Sequence, residues 1–181
     1  GPLFTVSSSG QTTISTDMAS GYPLQVTNEG NNANRYGIQV QAGADDASGQ
    51  TYYLNCNDGD GGNVGYIENN GGTFRLVDPS DKRLKKNIKN TKLKGLATLK
   101  KIKVRDFELK KNNLPKTGFI AQELEKVYPP SVSKPAEGEL DSNGNSRMMG
   151  VSYEALVPLL VKAVQELSAE VTELKKKQAD G

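Results

Sequence analysis

A change of texture at Ser80 constrains this chain more than any other feature. Residues 1–79 hold two basic side chains, Arg35 and Arg75, against eight acidic ones, a net of −6. Residues 80–181 hold 21 basic and 13 acidic side chains, a net of +8. One continuous core has no reason to segregate charge along the sequence, so two domains with separate tasks are expected, meeting at 79/80.

Material for a core is scarce. The 181 residues are 35% hydrophobic and 6% aromatic, with 19 glycines and no tryptophan. A chain this poor in apolar side chains gains by burying surface against partner subunits. The one cysteine, Cys56, leaves no internal disulfide framework, and the lack of histidine removes His-based triads and His-rich metal sites. No cofactor or metal is expected. The longest apolar run, LVPLLV at 156–161, is far too short to cross a bilayer. The opening GPLFTVSSSG has polar residues where a signal peptide needs a hydrophobic stretch. Gly1-Pro2 reads as a scar of tag removal, which implies a natural chain extending further upstream.

Residues 3–79 read as short strands and turns. YPLQVTN (22–28), RYGIQVQAG (35–43), TYYLNCN (51–57), VGYIENN (64–70) and TFRLVD (73–78) are rich in Val, Ile, Tyr and Thr. Gly/Asn/Asp clusters separate them. Strands this small have little to pack against, and a lone copy struggles to hide its edges. Threefold intertwining in a fibrous shaft solves that problem; a small independent β-sandwich is the alternative.

After Ser80 the pattern is mixed. SDKRLKKNIKN suggests a turn into a strand or short helix. Leu93, Leu96, Leu99 and Ile102 have helical spacing, and IKVRDFEL then alternates as a strand, with Ile102, Val104 and Asp106 on one face. TGFIAQELEKVYPPSV places Ile120, Leu124 and Val127 on one face of a helix that Pro129-Pro130 stops. Residues 134–150 form a polar, turn-rich hairpin or loop. A long terminal helix closes the chain. In it Val157, Leu160, Val164, Leu167, Val171 and Leu174 recur at spacings of 3, 4, 3, 4 and 3, a heptad seam with valine at a and leucine at d. Glu170 takes a g position and Lys175 the following e, which suits an interchain ion pair. That valine/leucine choice, taken alone, leans toward a two-stranded coil. Fewer than three heptads are marginal without help from a globular part. The alternative is an amphipathic helix packed on its own domain.

Other motifs weigh less. The basic run KRLKKNIKNTKLKGLATLKK lacks aromatic residues for stacking and has one arginine for base reading, so it reads as a solvated face, not a nucleic-acid site. Calcium-hand loops starting at Asp58 or Asp141 need an acidic residue where Asn69 and Ser152 stand. Both stretches read as turns. Cys56 has no imidazole to activate it and reads as a half-buried structural thiol.

Ser80 and Lys85 carry more chemistry. A neutral lysine can take a proton from serine, and crowding by Lys82, Arg83, Lys86 and Lys89 together with partial desolvation favours the neutral form. Helix and strand geometry both point the two side chains apart. The segment must therefore bend, or the lysine must come from a neighbouring chain.

The junction SDKRLKKNI, with TGFIAQELEKVYP (117–129) and YEALVPLLVKAVQEL (153–167), resembles the C-terminal intramolecular chaperone autoprotease domain of phage endosialidases, tail fibres and neck appendages, found also in myelin regulatory factor. The stretch VGYIENNGGTFRLVDPSDKRLK also looks like the end of a phage fibre shaft. The resemblance implies an α+β protein in three parts: a trimeric β-rich shaft end (1–79), a mixed chaperone and autoprotease domain (80–152), and a coiled-coil helix (153–178). It implies a homotrimer that directs folding of the upstream fibre and then releases itself, cutting between Pro79 and Ser80. Ser80 would be the nucleophile and Lys85 the general base of a self-cleaving serine peptidase. Asp81, Arg83 and Asn87 would support the motif, with Asp81 read as a cap. The implied setting is the virion, after assembly in the host cytoplasm, with no nucleic acid or membrane as partner. An uncut trimeric fibre tip, structural or touching a host receptor, is the alternative. A fragment of a membrane-tethered transcription factor is disfavoured by the fibre-like stretch before Ser80.

Overall fold

A computed structural model describes residues 3–6, 10–18, 22–30, 36–141 and 144–180, which pack as two units, residues 1–87 and 88–181. Gly1-Pro2 lies outside the described residues. The architecture is α+β, and among the described residues helices are confined to the second unit apart from one 3-10 turn at Lys82–Leu84.

The first unit holds a short hairpin, β1 (Leu3–Val6) with β2 (Thr12–Ser15), and an antiparallel three-stranded meander. The meander runs β3 (Gln50–Asn57), β4 (Asn63–Asn70) and β5 (Thr73–Val77) in that order. The β4–β5 turn is Gly71-Gly72, at φ +57° and +79°, a region that side chains with a Cβ resist. The three strands expected here are present. Those expected at 22–28 and 35–43 are not found in the described residues: Tyr22, Leu24, Val26, Tyr36, Ile38 and Val40 stand exposed on irregular backbone. Their alternation suits a strand, but a strand also needs a neighbouring edge to take its N–H and C=O groups.

One extra residue decides which side chains share a face of the meander. Tyr52 pairs with Glu68, whereas Leu54 pairs with Ile67, so Tyr53 is bulged. In an unbroken strand Tyr52 and Leu54 would point the same way; the bulge separates them. One face therefore carries Gln50, Tyr52, Asn55, Tyr66, Glu68 and Arg75, and the other Leu54, Cys56, Ile67, Phe74 and Leu76. The polar face satisfies itself. Glu68 is 2% exposed, with Arg75 Nε at 3.3 Å and an accepted bond from Gln50 Nε2 at 2.5 Å. Tyr52 and Tyr66 meet edge to face, with centroids 4.8 Å apart. The Cys56 thiol is exposed on the other face and not half-buried, because none of the described residues covers that face near its end.

The second unit runs α1 (Gly95–Leu99), hairpin β6 (Arg105–Leu109) and β7 (Leu114–Gly118), α2 (Ala121–Glu125), the short pair β8 (Val132–Ser133) and β9 (Gly150–Val151), and α3 (Val157–Ala179). Leu124, Leu156 and Leu159 form the buried core, with Leu93, Leu99, Ile102, Phe119, Tyr128, Val132 and Val151 packed on it. The helical spacing at 93–102 thus marks a core-facing row, although α1 itself is one turn long. The strand begins at Arg105, later than the alternation from Ile102 suggested, since Ile102 is used by the core and its N–H by the Leu99 carbonyl at 3.0 Å.

Candidate functional site

Chain direction reverses just after β5, and the reversal is what assembles the site. Ser80 follows Pro79 outside any regular element, and Asp81, on extended backbone, begins the Lys82–Leu84 turn at φ −63°, ψ 144°. Asp81 Oδ1 accepts from the Arg83 backbone N–H at 2.7 Å, which caps the turn. The Arg83 guanidinium returns to the same carboxylate, Nε to Oδ1 at 3.0 Å and Nη2 to Oδ2 at 3.1 Å. Those bonds, led by the Arg83 side chain, hold the Asp81 carboxyl below its ordinary range, and the charge of Lys85 adds to the effect.

Lys85 N–H closes the turn on the Lys82 carbonyl at 3.0 Å. Its side chain then folds back, and Nζ donates to Ser80 Oγ. A tight turn thus does what neither helix nor strand geometry allows, within a single chain. Asn87 sits at φ +56°, a left-handed position that asparagine tolerates better than most residues. Every side chain from Ser80 to Lys92 is exposed, so the basic crowd expected to desolvate Lys85 stays in water in the single chain.

A second candidate surface lies on α3. Leu159 (0% exposed) and Ala163 (2%) turn to the core of the second unit. Val157, Leu160, Val164, Leu167, Val171 and Leu174 lie on another face, each at least 41% exposed. The helix therefore packs on its own unit through one row and leaves the heptad row substantially exposed. Among the described residues Glu170 and Lys175, beside that row, make no ion pair.

Two contacts escaped sequence reasoning. Glu166 on α3 accepts from the Gly95 and Leu96 N–H groups at 3.2 and 2.8 Å, capping α1, whose own Lys94 provides no cap. Arg105 on β6 grips Glu123 on α2 through two bonds of 2.8 and 3.0 Å. Neither pair is adjacent in sequence, so no local pattern reports it.

Residues 80–133 match the family model described as chaperone of endosialidase, starting at the serine of the turn. This segment of the chain is similar to that family. The chain is also similar to the long tail fibre protein Gp37 of Enterobacteria phage Ox2, with 35% identity over 116 residues, 61% of this chain and 44% of the relative. The same protein of Enterobacteria phage M1 matches with 35% identity over 116 residues and the same coverage. The match thus spans less than half of the length of these relatives. Among the described residues no helix is long and apolar enough to cross a membrane.

Proposed function

We propose that this chain is the C-terminal part of a phage tail fibre or tailspike, in which residues from Ser80 onward trimerise, direct folding of the β-rich shaft end (1–79), and then cut between Pro79 and Ser80. The observation that carries the reading is the Lys85 amine on the Ser80 hydroxyl, at the first residue of the chaperone-of-endosialidase match. The chaperone match and the tail fibre relatives support the virion setting; assembly in the host cytoplasm is part of the proposal.

The chemistry needs only groups of this chain and one water. Ser80 Oγ attacks the Pro79 carbonyl carbon while the Lys85 amine takes the hydroxyl proton. The tetrahedral intermediate expels the Ser80 nitrogen, which receives the proton back from the Lys85 ammonium. Pro79 is then joined to Ser80 Oγ as an ester. Water hydrolyses the ester to the Pro79 carboxylate and a free serine hydroxyl. Asp81 and Arg83 are positioning residues that hold the turn, and Asn87 relieves the backbone at its exit. Neighbouring copies that cover the exposed junction exclude bulk water and hold the turn in its reactive geometry. Cutting therefore follows assembly.

Assembly runs through the uncovered α3 seam. Each Val or Leu fully buried there contributes about 1.5–3 kcal/mol. Parallel alignment places the free Glu170 of one copy by the free Lys175 of the next. The globular part of residues 80–152 sets the chain number at three. Interwoven strands nucleate slowly because their contacts are distant in sequence. Joining three copies at 153–178 raises the effective concentration of the attached strands, and release of the chaperone then makes unfolding kinetically hard.

The test is a time course of intact mass at several protein concentrations, alongside sedimentation. Fragments 1–79 and 80–181 arising in step with a trimer support the proposal. A trimer that stays uncut indefinitely favours instead a fibre tip with a structural or receptor-binding role.

A further inference from the structure

We infer that the apolar face of the β3–β4–β5 meander is the surface on which copies of this chain meet in the shaft, with the opposite face outward. The inference deepens the trimer reading above and rests on it.

The two faces differ in kind. On the first, Leu54, Phe74 and Leu76 are 54%, 73% and 67% exposed, and Ile67 lies between them. Asn69 closes one end of this face through a bond from its amide to the Ala47 carbonyl at 3.0 Å, and Cys56 stands at the other. No charged side chain of the three strands points to this face. Identical copies therefore approach across it without like-charge repulsion.

On the second face the charges are already spoken for inside the chain: Glu68 holds Arg75 and Gln50, and Asn55, Asn57 and Asn63 bond one another near its end. Such a face gains nothing from a second copy and is at home in water.

The bulge at Tyr53 gives the division its physical basis. Were the register unbroken, Tyr53 would stand opposite Ile67 and Leu54 would join the tyrosine and glutamate side, so the apolar face would lose Leu54. A bulge interrupts the ladder, so its presence where it sorts side chains by polarity points to a sheet that must be apolar on one side. A second copy is the occupant that the uncharged face, the internally paired opposite face and the open seam of α3 on the same chain all favour.

Cys56 reports on this face because it is the only cysteine. The experiment uses the full chain with Ser80→Ala, so that both parts stay joined, and measures reaction with a charged thiol reagent beside sedimentation. The trimer is expected to react slower than the unfolded chain by roughly two orders of magnitude. Leu76→Glu, which puts a charge on the face, should restore fast reaction while the α3 seam keeps the copies together. Thr73→Glu, on the opposite face, should leave protection intact. A trimer whose thiol reacts as fast as the unfolded chain overturns the assignment of this face and leaves the trimer standing. Loss of protection by Thr73→Glu but not by Leu76→Glu overturns it as well. A solitary protomer overturns the trimer reading itself.

Discussion

The Leu96 backbone N–H donates to Glu166 Oε2 at 2.8 Å, so a carboxylate on α3 caps a helix 70 residues earlier in the chain. That bond, followed by those from Gly95 and Lys162, holds the Glu166 carboxyl below its ordinary range. A carboxyl with a lowered folded pKa stabilises the fold above its unfolded value, about 4.3 for glutamate, and the contribution fades as pH falls through the folded value. Glu166→Gln is expected to lower the thermal midpoint near neutral pH. The gap to the parent should close as the pH drops below the glutamate range, in melts followed by circular dichroism.

Gly95 lies against the same helix. A Cβ built there would stand 2.5 Å from Ala163 N and 2.7 Å from the Lys162 carbonyl carbon. Both are backbone atoms that cannot swing away. Gly95→Ala is expected to destabilise the second unit by about 1–3 kcal/mol despite the better helix propensity of alanine. Urea unfolding measures it.

Leu159 and Val164 share a helix and differ in fate: 0% and 64% exposed. Leu159→Ala should cost the fold about 2–5 kcal/mol by leaving a cavity. Val164→Asp should leave helical content of the single chain unchanged and abolish self-association, seen as a smaller sedimenting species. The pair separates the core from the seam.

Asp81 is expected to act on cutting through Lys85, since its cap and its Arg83 bonds hold the turn. Asp81→Ala should slow fragment formation by about ten- to a hundredfold through loss of alignment, with the oligomeric state unchanged. Asp81→Asn keeps a capping oxygen and should fall between the two.

Parts of this structure were legible in the sequence for a physical reason. The exposed heptad row of α3 was visible because heptad spacing is local, and the meander because Gly-marked turns frame three strands. Strand-like alternation at 22–28 and 35–43 misled, since a strand depends on a partner edge that takes its N–H and C=O groups, and the described residues supply none there. The Tyr53 bulge was invisible: either register reads equally well until the pairing is known. The cap by Glu166 is a tertiary contact with no local trace. At the junction, composition supplied a serine, a lysine and an aspartate, and the demand for a bend; the 3-10 turn that meets the demand depends on Arg83 bonding to Asp81 twice over, which spacing alone does not dictate.

Intact mass of the incubated chain, beside Ser80→Ala and Lys85→Ala, tests the central claim most directly. The account predicts that the parent yields residues 1–79 and 80–181, that both variants stay whole while still trimeric, and that hydroxylamine traps a hydroxamate on Pro79 from the ester. Fragments of the same masses from Ser80→Ala, or none from a fully assembled parent, would contradict it.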